Sequence, residues 1–454
     1  MKKLEKRSIF CLILAGLLLL SGGVFTFRFV RDGSTWASFP SNRHLYNGGV
    51  LATGQVLDRN GTVLSSTKNG KRIYHQNKNI RLATLHAVGD SNGRIGTGAQ
   101  TFFASTLVGY NVVTGAYPIG GTRNLYLTVD ADVCAAAYRA LNGRKGTVGV
   151  YNYKTGEIIC MVSTPTFDPA NPPDIKDGDD TYNGVYLNRF LSSTFIPGSV
   201  FKLVTATAAI ETMDDLYDRT FHCSGHLDVD GTSITCPKAH GDLTIQEALA
   251  VSCNCIFGQL ASELGADTLR NYVNRTGLTK KYSLNGIGTA AGTFSFSDQD
   301  RAGLAWGGIG QGKDMINPCS MMIYMGAVAN GGSASVPRVV SQVTTTSGVP
   351  VGSYKAGDTG QLVSKRTAEQ LSEMMRNNVV SNYGAKNFPN LDICAKSGTA
   401  EVGDGRAPHA WFTGFLRDEE NPLAFIVLVE NGGSGSTVAG QIANTVLQAA
   451  IKAS

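Results

Sequence analysis

Three short sets of polar residues in the second half of the chain could together perform acyl transfer through a serine ester. They are, in order, Ser199-Val-Phe-Lys202, Ser252-Cys-Asn254 and Lys396-Ser-Gly398. A serine hydroxyl needs a nearby base to become a nucleophile, and a lysine three residues later can supply one. A further hydroxyl can relay a proton, and a second lysine can hold a carboxylate. Together and in this order, the three motifs are typical of enzymes that acylate a serine.

Each motif also has a second copy in the chain, and sequence context separates the copies. Ser65-Ser-Thr-Lys68 lies in a polar stretch that is predicted to form a turn. Ser283-Leu-Asn285 precedes a glycine-rich segment with no flanking helix, and Lys154-Thr-Gly156 lies between two strand-like runs as a predicted hairpin turn. We therefore expect none of these copies to function.

The surrounding sequence predicts how the functional copies are positioned. Pro197-Gly198 precedes an apolar run that opens at Ser199, so a buried helix is predicted to begin there, with Lys202 one turn away. The Ser252 motif interrupts a helical pattern, and a helix end or short loop would let Ser252 and Asn254 face one cleft. Residues 391–396 are predicted to form a strand that carries Lys396.

These motifs resemble those of monofunctional class B penicillin-binding proteins, the cell-wall D,D-transpeptidases. The resemblance extends from about Gly54 to the C-terminus through segments that agree in order and spacing: Gly54-QVLDRNGTVL, Asn124-LYLTVDADV, Thr155-GEIICMVSTPTFDP, Trp306-GGIGQG, Ala327-VANGG and His409-AWFTGF. It implies an α+β fold in which an antiparallel sheet is flanked by helices, with a small N-terminal pedestal domain and one transmembrane helix. The alternation of strand pairs and helices favours the same class.

The resemblance also implies a role for each residue of the three motifs. Ser199 would be the nucleophile and Lys202 its base, with a pKa lowered by burial and by Lys396 as a second cation. Ser252 would relay a proton to the leaving group, and Asn254 would hold Lys202 and the substrate amide. The substrate carboxylate would bind at Lys396 and at a set of neighbours, namely Ser397, Gly398 and Thr399. Backbone N–H groups of Ser199 and Thr399 would bind the oxyanion.

The implied function is crosslinking of peptidoglycan stem peptides through a Ser199 acyl-enzyme, with inhibition by β-lactams. The chemistry requires no cofactor and no metal ion. A membrane-anchored β-lactam-binding sensor, a non-catalytic scaffold, and a D,D-carboxypeptidase or β-lactamase remain alternatives. A class A β-lactamase needs an added glutamate to activate water, and no compelling candidate lies between the second and third motifs. The class resemblance also implies a membrane glycan polymerase as a partner.

The N-terminus predicts a single-pass membrane protein. Met1-KKLEKR is basic, and residues 9–27 carry no charge over a length that can cross a bilayer. Positive residues before this segment place the rest of the chain outside the cell. A cleaved signal peptide is the alternative, but the apolar run is long and is followed by phenylalanines rather than small residues. The predicted division is a cytoplasmic tail, a transmembrane anchor, a pedestal and a transpeptidase domain, at 1–8, 9–29, 30–123 and 124–454.

Net charge and cysteine content limit the partners and the redox state. A net charge of +5 is mild for 454 residues and argues against nucleic-acid binding as the main function. Among nine cysteines, Cys223 and Cys236 flank a hairpin-like stretch, and outside the cell a disulfide between them is favoured. Free thiols, or a zinc site built from Cys223-x2-His226 and Cys236-x3-His240, are the alternatives. Six further cysteines are expected to be mostly buried free thiols: Cys134, Cys160, Cys253, Cys255, Cys319 and Cys394.

Overall fold

The computed structural model describes residues 2–39, 53–113, 115, 121–176 and 178–453. The helices are α1 Lys2–Ser38, α2 Lys78–Val88, α3 Ala99–Phe102, α4 Ala104–Val108, α5 Ala131–Leu141, α6 Arg189–Ser192, α7 Lys202–Thr212, α8 Ile245–Ala250, α9 Asn254–Arg275, α10 Arg301–Gly308, α11 Pro318–Ala329, α12 Lys365–Asn378 and α13 Gly440–Ala453. Short 3₁₀ and π turns lie between them, of which Gly198–Val200 and Val379–Tyr383 contribute to the site described below.

The strands are short except in the central sheet. They are β1 Val56–Leu57, β2 Val63–Lys68, β3 Lys71–Tyr74, β4 Arg123–Leu127, β5 Gly146–Asn152, β6 Ile158–Thr164, β7 Phe221–Cys223, β8 His226–Val229, β9 Thr232–Thr235, β10 Gly241–Leu243, β11 Ser283–Leu284, β12 Ile287–Gly288, β13 Val340–Thr345, β14 Pro350–Ser353, β15 Ile393–Ala400, β16 His409–Leu416 and β17 Leu423–Val429.

A five-stranded antiparallel sheet forms the centre of the molecule, in the order β15-β16-β17-β5-β6. Helices α11 and α12 pack against β16, β17 and β15, whereas α5 and α13 pack against each other and against β6 and β17. Every residue of β17 is buried, as expected for a strand that is covered on both faces. The predicted α+β fold with helices on an antiparallel sheet is therefore confirmed, and β15 lies at one edge of that sheet.

A second, six-stranded sheet combines strands from distant parts of the chain, in the order β14-β13-β4-β1-β2-β3. Strand β1 pairs with β4 in parallel, and the remaining pairs are antiparallel. The sheet therefore joins the segment predicted as the pedestal to β13 and β14 from the second half of the chain. One detail of the prediction is wrong: residues 65–68 lie on β2 and not in a turn, because Ser65 to Lys68 pair with Tyr74 to Lys71 across a hairpin.

The N-terminal helix is longer than the apolar run that predicts it. Helix α1 covers 37 residues, whereas residues 9–29 are the predicted anchor. Within the described chain, Leu4–Ala37 is the one helix that is long and apolar enough to cross a membrane. The helix continues through the charged residues after position 27 because nothing there breaks it, since neither proline nor a helix-ending glycine turn occurs before Ser38.

Candidate active site

The nucleophile candidate lies on a tight turn directly in front of a buried helix. Ser199 is the central residue of the 3₁₀ turn Gly198–Val200, and Lys202 is the first residue of α7. The regular helix thus begins three residues later than predicted. Lys202 is fully buried, and its Nζ atom lies 3.1 Å from Ser199 Oγ. The two groups are therefore within proton-transfer distance of each other.

The second motif forms a connection between two helices, as predicted. Helix α8 ends at Ala250 and α9 begins at Asn254, with Ser252 held at a positive φ of 55° between them. Lys202 Nζ donates to the Ser252 carbonyl oxygen and to Asn254 Oδ1, both at 2.7 Å, and lies 3.2 Å from Ser252 Oγ. The loop thereby turns a backbone carbonyl, a hydroxyl and an amide toward one amine.

The third motif lies on the edge strand β15 and reaches the same hydroxyl. Lys396 Nζ donates to Ser252 Oγ at 3.0 Å and to the Ser397 carbonyl oxygen at 2.7 Å, and its side chain is fully buried. Ser252 Oγ therefore lies within hydrogen-bond distance of both lysines. The structure brings all three predicted motifs together around one point.

Burial determines the protonation of this lysine pair. It lowers the pKa of Lys202 to about 8, although nearby cysteine sulfurs oppose the shift. Burial also lowers the pKa of Lys396 well below its ordinary value, and the charge of Lys202 lowers it further. The expected effect of Lys396 on Lys202 is therefore found in the opposite direction: burial lowers the pKa of Lys202, and the charge of Lys202 lowers the pKa of Lys396.

Glycines allow the nucleophile turn to approach the edge strand. A Cβ atom on Gly398 would lie 3.0 Å from the Val200 side chain and 3.1 Å from the Pro197 carbonyl oxygen. Gly198 has a φ of 57°, and a Cβ atom there would lie 2.6 Å from the Thr399 carbonyl oxygen. The Gly198 N–H group also donates to the Gly310 carbonyl oxygen at 2.8 Å, so the glycine-rich segment predicted as a tight turn near the site packs directly on this turn.

Replacing Gly198 with alanine should therefore displace Ser199. We expect a loss of about 1–3 kcal/mol from the left-handed conformation, and a further loss from the overlap with β15. Acylation by penicillin should slow by about tenfold or more, because small displacements of a reacting group are costly. Chemical denaturation and acylation kinetics would measure the two effects.

Gly405→Ala is the matched control for this substitution. Gly405 has a similar φ of 67°, but no atom lies within 4 Å of the position of an added Cβ. It should lose stability through backbone conformation alone and retain its acylation rate. Equal acylation rates for the two variants would contradict the proposed close packing.

The structure adds positioning residues that sequence analysis missed. The Tyr383 hydroxyl accepts from the Ser397 N–H group at 2.9 Å and lies 3.0 Å from Ser397 Oγ. Asn378 Nδ2 donates to the Ala395 carbonyl oxygen at 3.0 Å, which fixes the strand just before Lys396. No local motif marks these residues, because α12 and the π turn Val379–Tyr383 meet β15 only in the folded chain.

The remaining predicted binding residues lie at the mouth of the site. Thr399 is exposed and Ser397 is half-buried, so both are accessible from the solvent side of the two buried lysines. Gln311 Nε2 donates to the Thr399 carbonyl oxygen at 3.3 Å. Two hydroxyls are therefore accessible to solvent at this end of β15, next to the buried Lys396.

The second copies of the motifs lie outside the site. Ser65 lies on β2, Lys154 occupies the β5–β6 turn, and Ser283 lies on β11. The amide of Asn285 has a structural role instead, because its Oδ1 atom accepts from the Val339 and Val340 N–H groups. The favoured disulfide is also not formed, since Cys223 and Cys236 are both free thiols.

Comparison with known proteins places this geometry in a family. Residues 146–448 match the penicillin-binding protein transpeptidase domain. The chain is 30% identical over 370 residues to the peptidoglycan D,D-transpeptidase PbpA of Mycolicibacterium smegmatis, covering 75% of this chain and 74% of that protein. It is 28% identical over 371 residues to PbpA of Mycobacterium tuberculosis, covering 75% and 74%.

Solved structures agree with this fold. A ceftriaxone acyl-enzyme complex of penicillin-binding protein A from M. tuberculosis matches with a TM-score of 0.79 at 23% identity, covering 89% of this chain and 99% of the other. The chain belongs to the penicillin-binding proteins, and its identity to the PbpA transpeptidases together with the matched transpeptidase domain supports class B.

Proposed function

We propose that this protein is a serine-type peptidoglycan D,D-transpeptidase that crosslinks stem peptides through an acyl-enzyme on Ser199. Membership of the transpeptidase domain family and identity to proteins named peptidoglycan D,D-transpeptidase support this activity. The arrangement of acceptors around Lys202 supports the assignment of nucleophile and base.

The hydrogen bonds of Lys202 carry the mechanistic part of the proposal. A neutral amine has two N–H donors and one lone pair. The two shortest contacts of Lys202 Nζ, at 2.7 Å, are to the Ser252 carbonyl and Asn254 Oδ1, which can only accept. Its lone pair is then left for a hydroxyl that can donate, and two lie within reach: Ser199 Oγ at 3.1 Å, the proposed nucleophile, and Ser252 Oγ at 3.2 Å, the proposed relay. The neutral amine is thus oriented as a base toward Ser199.

Substrate binding provides a reason for Lys202 to be neutral. Two buried amines that share Ser252 Oγ disfavour two positive charges. A terminal D-alanine carboxylate next to Lys396 would favour the ammonium form of Lys396. The single proton of the pair would then reside there, which leaves the Lys202 lone pair free.

Acylation then proceeds in two balanced steps. Ser199 Oγ forms a bond to the carbonyl carbon between two terminal D-alanines, and its proton passes to Lys202. Backbone N–H groups of Ser199 and Thr399 would stabilise the oxyanion. The C–N bond then breaks, and the proton passes from Lys202 through Ser252 Oγ to the departing D-alanine amine.

Transfer to the acceptor reverses this path. An amine from a neighbouring stem peptide attacks the Ser199 ester, and its proton passes through Ser252 to Lys202. The C–O bond breaks, Lys202 returns the proton to Ser199 Oγ, and the crosslinked peptide leaves. In a β-lactam the amide nitrogen stays tethered after ring opening, so the ester would persist.

The same proposal covers topology and partners. Helix α1 would anchor the chain in the cell membrane, with a tail at 1–8 inside and a pedestal at 30–123 and transpeptidase domain at 124–454 outside. The basic N-terminal tail supports this orientation. A multi-pass glycan polymerase in the same membrane is the proposed partner, and it would supply the strands to be crosslinked.

Two measurements on the full-length protein in detergent test the proposed function. Digestion and mass spectrometry after penicillin treatment should locate one penicilloyl group on the peptide that contains Ser199. Polymerised glycan with pentapeptide stems should yield crosslinked dimers, and penicillin pretreatment should abolish them. Cleaved tetrapeptides without dimers would favour a carboxypeptidase, and a stable adduct without turnover of glycan would favour a sensor or scaffold.

The pH dependence of acylation should follow the titration of the lysine pair. Burial lowers the pKa of Lys202 to about 8, so the one proton that the pair must hold for a charged Lys396 to bind the carboxylate is lost as the pH rises through that value. The second-order acylation rate constant should therefore be nearly constant below about 8 and fall about tenfold per pH unit above it. Stopped-flow measurement with a fluorescent penicillin would record this profile, and a rate that rises about tenfold per pH unit below about 8 would contradict transfer of the pair's proton to Lys396.

A further inference from the structure

A compact group of sulfur and nitrogen ligands lies directly behind the second motif. It contains Cys223 at the end of β7, Cys236 after β9, His240 before β10 and Cys253 between α8 and α9. One ligand atom from each of the four residues lies within 4.8 Å of the other three. Cys223 and Cys253 are buried, and the other two are half-buried, so the group is largely shielded from solvent.

Two separations within this group correspond to edges of a tetrahedron. With Zn–S bonds of about 2.3 Å and Zn–N bonds of about 2.0–2.1 Å, tetrahedral zinc places two sulfurs about 3.8 Å apart and a sulfur and a nitrogen about 3.6 Å apart. Cys236 Sγ and Cys253 Sγ are 3.7 Å apart, and Cys223 Sγ and His240 Nδ1 are 3.5 Å apart. A disulfide would instead require sulfurs about 2.05 Å apart.

We propose that Cys223, Cys236, His240 and Cys253 bind one Zn²⁺ ion in a closed structural site. Three thiolates and one imidazole form a ligand set that zinc favours over magnesium or calcium, which prefer oxygen ligands. Four protein ligands leave no open coordination position, so the ion would stabilise the fold and would not activate water. The acyl transfer proposed for Ser199 does not use it.

Contacts outside the four ligands are consistent with metal-bound thiolates. The Asn254 N–H group donates to Cys236 Sγ at 3.1 Å, which is the type of bond that stabilises a coordinating sulfur. The Cys236 N–H group donates to the Gly225 carbonyl, and the His240 N–H group donates to the Cys223 carbonyl. These bonds hold the ligand-bearing segments next to each other.

The structure corrects the ligand set expected from the sequence. The Cys223-x2-His226 spacing makes His226 a candidate ligand, but its side chain is 59% exposed and its Nε2 atom lies 4.0 Å from an Asp228 carboxylate oxygen. Cys253 takes its place. Cys255 Sγ lies 3.4 Å from Cys236 Sγ but outside the group of four, and it points toward the Ile234 carbonyl oxygen.

The metal site would position the loop between α8 and α9 that carries Ser252, and this inference rests on the proposed function. Cys253 is the middle residue of the second motif, between Ser252 and Asn254. Asn254 Nδ2 also donates to the Thr235 carbonyl oxygen at 2.8 Å, one residue before Cys236. A zinc ion would thus bind the β7–β10 segment to the loop that contacts both lysines, and it would hold Ser252 in its positive-φ conformation.

Metal analysis of the full-length protein in detergent tests the site. We expect about one zinc per chain by elemental mass spectrometry, falling to about one tenth or less in Cys223→Ser and in His240→Ala. Replacement of zinc by cobalt should give the absorption bands of a tetrahedral thiolate site. Cys255→Ser is the matched control, because it alters a neighbouring sulfur outside the group, and it should retain the metal.

Two further readouts separate the metal site from misfolding and from the proposed activity. A strong zinc chelator should lower the melting temperature of the wild-type protein, and added zinc should restore it. Loss of metal in Cys255→Ser, or a disulfide between Cys236 and either Cys253 or Cys255 in the isolated protein, would overturn the proposal, as would absence of stoichiometric zinc. Because penicillin labelling of Ser199 is scored separately, a labelled protein without zinc would refute only the metal site.

Discussion

Replacing Ser199 with alanine is expected to abolish the covalent penicillin adduct and to reduce crosslinking by about 10⁴-fold or more. The reason is that Ser199 supplies the oxygen of the proposed ester and is the hydroxyl carried by the turn in front of α7. Ser252 Oγ also lies near Lys202, but it accepts a hydrogen bond from Lys396, and the proposal assigns it the proton relay between Lys202 and the leaving amine. Gel fluorescence with a labelled penicillin and intact-mass spectrometry would measure the loss.

The second S-x-x-K motif provides the matched control. Ser65 is buried on β2 and its hydroxyl has no hydrogen-bond partner among the described residues, so Ser65→Ala removes no hydrogen bond seen there. This variant should label as well as the wild type. A persistent adduct in Ser199→Ala, or loss of the adduct in Ser65→Ala, would refute the choice of nucleophile.

Substitutions of Lys202 should have the second largest effect. Lys202→Met keeps most of the length of the buried side chain but removes the amine, and we expect acylation to slow by about 10²–10⁴-fold, the usual contribution of a general base. Lys202→Arg should slow acylation as much, because a guanidinium does not lose its proton at accessible pH. The second-order rate constant for reaction with a labelled penicillin would quantify both variants.

Lys68→Met is the control for Lys202, since Lys68 is the exposed lysine of the second S-x-x-K motif. It should react at the wild-type rate. If Lys202→Arg retained that rate, the lone pair of Lys202 would be unnecessary and the orientation argument would fail. Circular dichroism of each variant would separate a chemical defect from unfolding.

Local sequence signals are sufficient to predict the helices and the strand that carry the three motifs. A breaker followed by an apolar run predicts the helix of Lys202, and an interrupted helical pattern predicts the break at Ser252. The apolar run before Lys396 predicts β15. In each of these cases the decisive signal lies within about ten residues of the motif, where hydrophobic periodicity and breaker residues are informative.

Other features depend on contacts between distant segments. Cys253 follows Cys236 by 17 residues, and only the packing of α9 on the β8–β9 hairpin brings their sulfurs to 3.7 Å. The sequence therefore favours a disulfide between Cys223 and Cys236, and this prediction is wrong. Tyr383 likewise becomes a partner of Ser397 only when the π turn meets β15. The coupling of the two lysine pKa values also required the burial of both amines.

The position of β15 has a consequence for the shape of the ligands that can bind. In the described part of the chain this strand pairs with another strand on one side only. On its other side, the main-chain groups of Ala395 and Ser397 already bond to the side chains of Asn378, Lys396 and Tyr383, so a ligand can continue the ladder only at the Thr399 end. A peptide in extended conformation could therefore bind by β-augmentation, with its scissile carbonyl carried toward the serine as it pairs. Recognition would then be divided between backbone pairing, which accepts many side chains, and the charged end group, which fixes the register.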